Sequence, residues 1–197
     1  EALEGRPAHF CHLQFFSYGK QKGRLHRSAA DELARAVNEN SNITVDVGQV
    51  VFGEATTMTS DSPLQHRLHR ETGNKWLNED IENETGGGVV PILYRRNNPI
   101  NAVMWRTGLE LFLLIDDPWQ VFLTTDHPNA GPFFHYPQVI KLLTNRDYRN
   151  EMFKHIHPRA QKGALLPELD REYTLYEIAI ITRAGTARAL GLKNKGH

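Results

Sequence analysis

Short apolar runs punctuated by glycine, proline and amide residues alternate with stretches of helical periodicity along this chain. Residues 10–16 are apolar with His12 and Gln14 interleaved and predict a first strand, followed by a polar loop over 17–23. A helix opens at Ser28, whose spacing to Asp31 fits a capping box, and carries Ala30, Leu33, Ala34 and Val37 on one face. Residues 43–52 alternate and then become uniformly apolar, predicting a second strand. Strand, helix and strand with short joints read as a βαβ unit with a parallel sheet. Residues 53–98 show little periodicity. So long an irregular insertion suits a lid or a contact surface, and His66, Arg67, His69 and Arg70 form a basic cluster within it. The strongest helix spans 99–115, with Asn98 as cap, Pro99 in the first turn and a wide apolar face. A central buried strand follows over 119–125, then short helices over 137–144 and 147–156. A helical stretch over 169–183 has Thr174 and Glu177 as a capping box, and residues 186–190 make a last short helix.

Composition narrows the class. The chain has 197 residues, 40% hydrophobic and 23% charged, enough for one domain with a real core. Lysine plus arginine and aspartate plus glutamate each total 23, so no basic excess points to nucleic acid or to an anionic membrane surface. The single cysteine, Cys11, leaves no disulfide within the chain, and a reducing, cytoplasmic setting is expected. No apolar run approaches the length of a membrane span.

The candidate chemistry centres on residues 121–129. An apolar, β-branched run ends abruptly in Asp126, His127 and Pro128, with Gly131 shortly after. Asp126 thus sits at the carboxyl end of a strand, the edge where α/β sheets build their sites. The alternative is an aspartate that caps a turn. His9 and His12 are three apart, so on one continuous strand they face opposite sides and do not share a metal. His12 is the better ligand, being followed by Gln14, Ser17 and Tyr18. Asp126 with His12 suits metal-assisted hydrolysis. Zinc accepts imidazole and carboxylate and lowers the pKa of bound water to about 7, and a neighbouring carboxylate relays the proton to a leaving amine. His127 reads as a substrate contact or a support for the site. Cys11 reads as a buried, inert thiol, and His155 and His157 as solvated residues at a helix end.

Five segments carry a resemblance. They are residues 123–129 with Gly131, Pro132 and Phe133; residues 12–15 with 17–19; residues 86–91; residues 108–114; and residues 171–179. Together they resemble the A subunit of formylmethanofuran dehydrogenase and the alpha subunit of the related formyltransferase/hydrolase complex, within the amidohydrolase superfamily. The resemblance implies an α/β fold, the C-terminal part of an amidohydrolase-type (β/α)₈ TIM barrel comprising about strands 6–8 plus helices and incomplete on its own. It implies that residues 1–52 form a strand-helix-strand unit, 53–98 an insertion, and 99–197 a helix, the catalytic strand and C-terminal helices. His12 would be the metal-ligand histidine of the sixth strand. Asp126 would be the metal-binding, proton-shuttling aspartate of the eighth, and His127, Asn129, Gln14 and Tyr18 would line the substrate. The implied reaction hydrolyses or forms the N-formyl amide of formylmethanofuran or a similar C1 carrier, giving formate and amine. The implied partners are other subunits of a dehydrogenase or formyltransferase/hydrolase complex, with any molybdenum or tungsten centre on another subunit.

The superfamily's first-strand His-x-His pair, carboxylated lysine and fifth-strand histidine have no counterpart in this sequence. One or two zinc ions are therefore expected in a longer parent, and weak or no metal binding by this piece. The competing reading is a non-catalytic assembly or binding subunit of a C1-transfer complex, in which His12 and Asp126 are vestigial.

Overall fold

A computed structural model describes residues 5–18, 27–59, 70 and 88–195. Strands β1 (Ala8–Phe10), β2 (Ile43–Asp46) and β5 (Val121–Phe122) form a parallel sheet in the order β1-β2-β5. Val45 pairs with Phe10 on one side and Val121 on the other, so β2, and not the 119–125 segment, is the central strand. The pairing outruns the formal strands. Val47 N–H donates to Phe122 O at 3.2 Å and Gln49 N–H to Thr124 O at 2.7 Å, which keeps residues 121–124 extended. Parallel pairing puts all three carboxyl ends on one side of the sheet.

The first strand stops earlier than the apolar run predicts. After Phe10 the chain turns, His12 adopts a left-handed conformation with φ 55°, and Leu13–Phe16 form a 3₁₀ turn. Two hydrogen bonds account for this. Gln14 N–H donates to Val47 O at 3.1 Å, and Gln14 Oε1 accepts Val50 N–H at 2.7 Å. They draw residues 13–14 across the end of β2 and into the core, where both are buried.

The helix α1 (Ala30–Asn38) packs Ala30, Ala34 and Val37 inward. The expected capping box is absent. The Ser28 hydroxyl accepts Ala30 N–H at 3.1 Å, and the helix begins at Ala30 with no side-chain cap, so Asp31 lies inside its first turn. The helix α2 (Pro99–Leu114) begins as expected: Asn98 Oδ1 accepts the N–H groups of Ile100 and Asn101, a cap worth about 1 kcal/mol. Its burial is wider than one face, since every residue from Ala102 to Leu113 is buried. This follows from its place between α1, α3 (Tyr136–Thr144) and α5 (Pro158–Gln161). Two of its buried polar residues pair with each other. Arg106 and Glu110 lie 4.0 Å apart, and Glu110 Oε1 accepts Leu165 N–H at 2.8 Å.

The segment expected to be irregular is framed by a hairpin. Strands β3 (Gly53–Thr59) and β4 (Gly88–Tyr94) pair antiparallel, from Gly53 opposite Tyr94 to Thr59 opposite Gly88. His66, Arg67, His69, Gly86 and Gly87 lie outside the described residues, as does most of the 17–23 loop.

The helix α4 (Arg146–Lys154) is capped by Asn145. The expected helical stretch over 169–183 begins only at Leu175, where the Thr174 and Glu177 capping box is present. There α6 (Leu175–Ala179) runs through a π turn (Ile180–Ala184) into α7 (Gly185–Ala189). The wide π turn leaves the Ile181 carbonyl to accept Leu123 N–H at 2.8 Å, which seals the outer edge of β5. Among the described residues no helix is long and apolar enough to cross a membrane.

Candidate metal and proton-transfer site

The carboxyl ends of the three parallel strands bring His12, Asp46 and Asp126 together. Asp46 closes the central strand. Its Oδ1 accepts His12 N–H at 2.9 Å and the Thr124 hydroxyl at 2.7 Å, and lies 3.1 Å from His12 Nδ1. Its Oδ2 lies 3.3 Å from His9 Nε2. Burial opposes the charge of Asp46, but the hydrogen bonds from His12 N–H and Thr124 win and hold its carboxyl below the usual range. On the far side of the same imidazole, His12 Nε2 lies 3.3 Å from Asp126 Oδ1. His12 and Asp126 therefore meet, although over a hundred residues separate them.

Asp126 owes its place to a reversal of the chain. It has φ 46°, a left-handed conformation that aspartate tolerates better than most residues. Asn129 N–H returns to Asp126 O and Ala130 N–H to Thr125 O, with a cis peptide at His127–Pro128 between them. Asn129 Nδ2 donates to Asp126 Oδ2 at 2.5 Å, leaving Oδ1 turned toward His12.

The other expected residues are placed unevenly. His127 is exposed and accepts Phe133 N–H through Nδ1 at 3.2 Å, leaving Nε2 available at the rim. Asn129 is spent on Asp126. Tyr18 is half-buried and bridges to Ser28. Gln14 is fully buried with its carbonyl on Val50 N–H, so it braces the 47–50 loop.

His9 and His12 do not face opposite sides. The strand ends between them, and both rings turn to one carboxylate, Asp46. Cys11 is exposed, not buried. Partial desolvation, and then the negative charge of Asp46, push its thiol up and so lower its thiolate fraction. Donor atoms of His9, Cys11 and Asp46 lie within 4.8 Å of one another, close enough for one ion. His155 pairs with exposed Glu151 at 3.1 Å, and His157 Nδ1 accepts Arg159 N–H as the cap of α5. The residue that sequence reasoning passes over is Asp46, although it ends its strand as Asp126 does.

A neutral imidazole has one N–H and one lone pair. With a carboxylate against each nitrogen of His12, one contact always lacks a donor. The arrangement calls for one more positive centre, a proton or a metal ion. Asp126, 23% exposed and with Oδ1 opposite a ring nitrogen, has more room for it than Asp46, which is 8% exposed and already met by His9, His12 and Thr124. Imidazole nitrogen beside carboxylate oxygen is a donor set that zinc accepts.

The sequence profile described as "Amidohydrolase family" matches residues 2–197. The chain belongs to the amidohydrolase family. Protein FwdA of Methanocaldococcus jannaschii is 49% identical to this amidohydrolase chain over 188 residues, covering 94% of it and 33% of FwdA. The A subunit of the formyltransferase/hydrolase complex Fhc of Methylorubrum extorquens is 41% identical over 204 residues, covering all of this chain and 37% of that relative. The X-ray structure of the formyltransferase/hydrolase complex FhcABCD from Methylorubrum extorquens in complex with methylofuran superposes with a TM-score of 0.83. That match has 41% identity and covers 98% of this chain and 36% of the other. The amidohydrolase chain thus spans about a third of the length of the relatives it matches.

Proposed function

We propose that this chain is the carboxyl-terminal part, about strands six to eight with their helices, of an amidohydrolase (β/α)₈ barrel. In the parent subunit it would act on the N-formyl amide of formylmethanofuran or a related C1 carrier, in the cytoplasm and within a multi-subunit complex. The observation that carries this reading is the His12 imidazole held between Asp46 and Asp126 at the carboxyl ends of parallel strands.

His12 Nε2 and Asp126 Oδ1 are the atoms that would hold zinc, with residues elsewhere in the parent completing its shell. A zinc ion held there supplies Lewis acidity toward a carbonyl oxygen and toward water. Asp126 is the group that would move the proton. It takes a proton from the attacking water as the water oxygen bonds to the formyl carbon, and it delivers that proton to the amine nitrogen as the C–N bond breaks. Formate and the free amine result, and the reverse sequence forms the amide. Asn129 holds Asp126 Oδ2, which keeps Oδ1 turned toward His12 Nε2. His127, exposed at the turn, would contact the carrier, with Tyr18 a further candidate on the β1 side.

The test is Asp126→Asn in the full-length subunit within its complex. Formate release should fall roughly 10²- to 10⁴-fold, the usual worth of a general acid–base group, with the complex still assembled. Turnover retained in that variant contradicts the reading.

A further inference from the structure

We infer that Asp46 is a positioning residue that fixes the ring of His12 so that Nε2 is presented toward Asp126. The inference rests on the function proposed above and extends it to the carboxylate behind the proposed zinc ligand.

The geometry separates the two carboxylates by task. Asp46 is buried, and donors reach it from both neighbouring segments. His9 and His12 come from the β1 side, and Thr124 from the β5 side. It grips His12 twice, through the backbone N–H at 2.9 Å and through Nδ1 at 3.1 Å. The backbone contact sets where His12 stands, and the ring contact sets which way the imidazole turns. A proton on Nδ1 satisfies that contact, which leaves the lone pair on Nε2, the nitrogen 3.3 Å from Asp126 Oδ1. A carboxylate behind a ligand histidine fixes tautomer and orientation and raises the basicity of the outward nitrogen. Asp46 has the burial, the bonding and the direction that this task requires. Thr124 in turn holds Asp46. Its hydroxyl donates to Oδ1 and accepts Gly48 N–H at 3.0 Å, so the carboxylate cannot rotate freely.

The experiment uses the full-length subunit in its complex and measures zinc affinity by chelator competition. It also records the d–d spectrum of the cobalt-substituted protein and the melting temperature. Asp46→Asn keeps the volume and one acceptor oxygen but loses the charge. The expected result is a roughly 10- to 100-fold weaker zinc affinity and a shifted cobalt spectrum, with little change in melting temperature. A merely structural role would lower the melting temperature and leave the affinity and the spectrum of the folded protein unchanged. Should Asp46→Asn fail to fold, Thr124→Val loosens the same carboxylate from behind, and a several-fold loss of zinc affinity is expected there. Zinc bound by the wild type with unchanged affinity in the folded variant overturns this inference alone. A wild type that binds no zinc overturns it together with the proposed function.

Discussion

Gly48 lies directly against His12, and replacing it tests whether the site is as tightly built as the distances indicate. Gly48 has φ +65°, and a Cβ there would meet His12 Cα and Cβ at 3.2 Å and Nδ1 at 3.3 Å. Comfortable carbon contacts lie near 3.5–4.0 Å, so His12 would have to move by a few tenths of an ångström. Gly48→Ala therefore combines two costs. A left-handed alanine costs about 1–2 kcal/mol, and squeezing a packed site adds about 1–3 kcal/mol. Gly163 supplies the control, because it has φ +66° and nothing within 4 Å of a built Cβ. Gly163→Ala should show the backbone cost alone. The assay is the melting temperature and turnover of both variants in the full-length protein. Gly48→Ala should melt lower than Gly163→Ala and lose roughly tenfold in turnover, since a shift of about 1 Å at a reacting group can cost 10²-fold. Gly163→Ala should keep its turnover. Equal melting temperatures and undiminished turnover in both would refute the claim that His12 is fixed by its contact with the 47–50 loop.

Two further outcomes follow from packing and charge. Gly108→Ala gains up to about 1 kcal/mol of helix propensity. Its Cβ, however, would run into Gln49 Oε1, in a side chain held by the Val50 and Trp105 carbonyls. Destabilisation of about 1–3 kcal/mol in denaturant unfolding should win, and a stabilised variant would mean that Gln49 is free to move. Glu177 is held below the ordinary carboxylate range. Burial opposes this, but the N–H and hydroxyl of Thr174 and the Arg171 guanidinium outweigh it. Its contribution is present above the ordinary carboxylate pKa and is lost as pH falls through the depressed value. Thr174→Ala should therefore lower the melting temperature at neutral pH, and the gap from wild type should narrow as the pH is taken well below 4; a constant gap would contradict the linkage.

How much can be read from the chain depends on whether the cause is local. The α2 start is written in adjacent residues, Asn98 and Pro99, and the α6 capping box in Thr174 and Glu177, and both appear as expected. Asp126 at the end of an apolar run is equally local, and its meeting with His12 follows once the strands are parallel. What the sequence hides needs partners distant along the chain. Asp46 reads as the polar member of an alternating strand until the sheet order shows both neighbours delivering donors to it. The facing of His9 and His12 is misjudged when their spacing is counted along one strand, because that strand ends at Phe10. What ends it is a pair of hydrogen bonds to residues 47 and 50. The β3–β4 hairpin is hidden for the same reason, since its strands are separated by 28 residues between Thr59 and Gly88 and contain Pro91.

The most direct test of the account is anomalous diffraction at the zinc edge from crystals of the full-length protein. The account predicts a zinc peak within bonding distance of both His12 Nε2 and an oxygen of Asp126, roughly 2.0–2.2 Å from each, with Asp46 behind the ring. Zinc at other residues, with His12 and Asp126 left in direct contact, would contradict it.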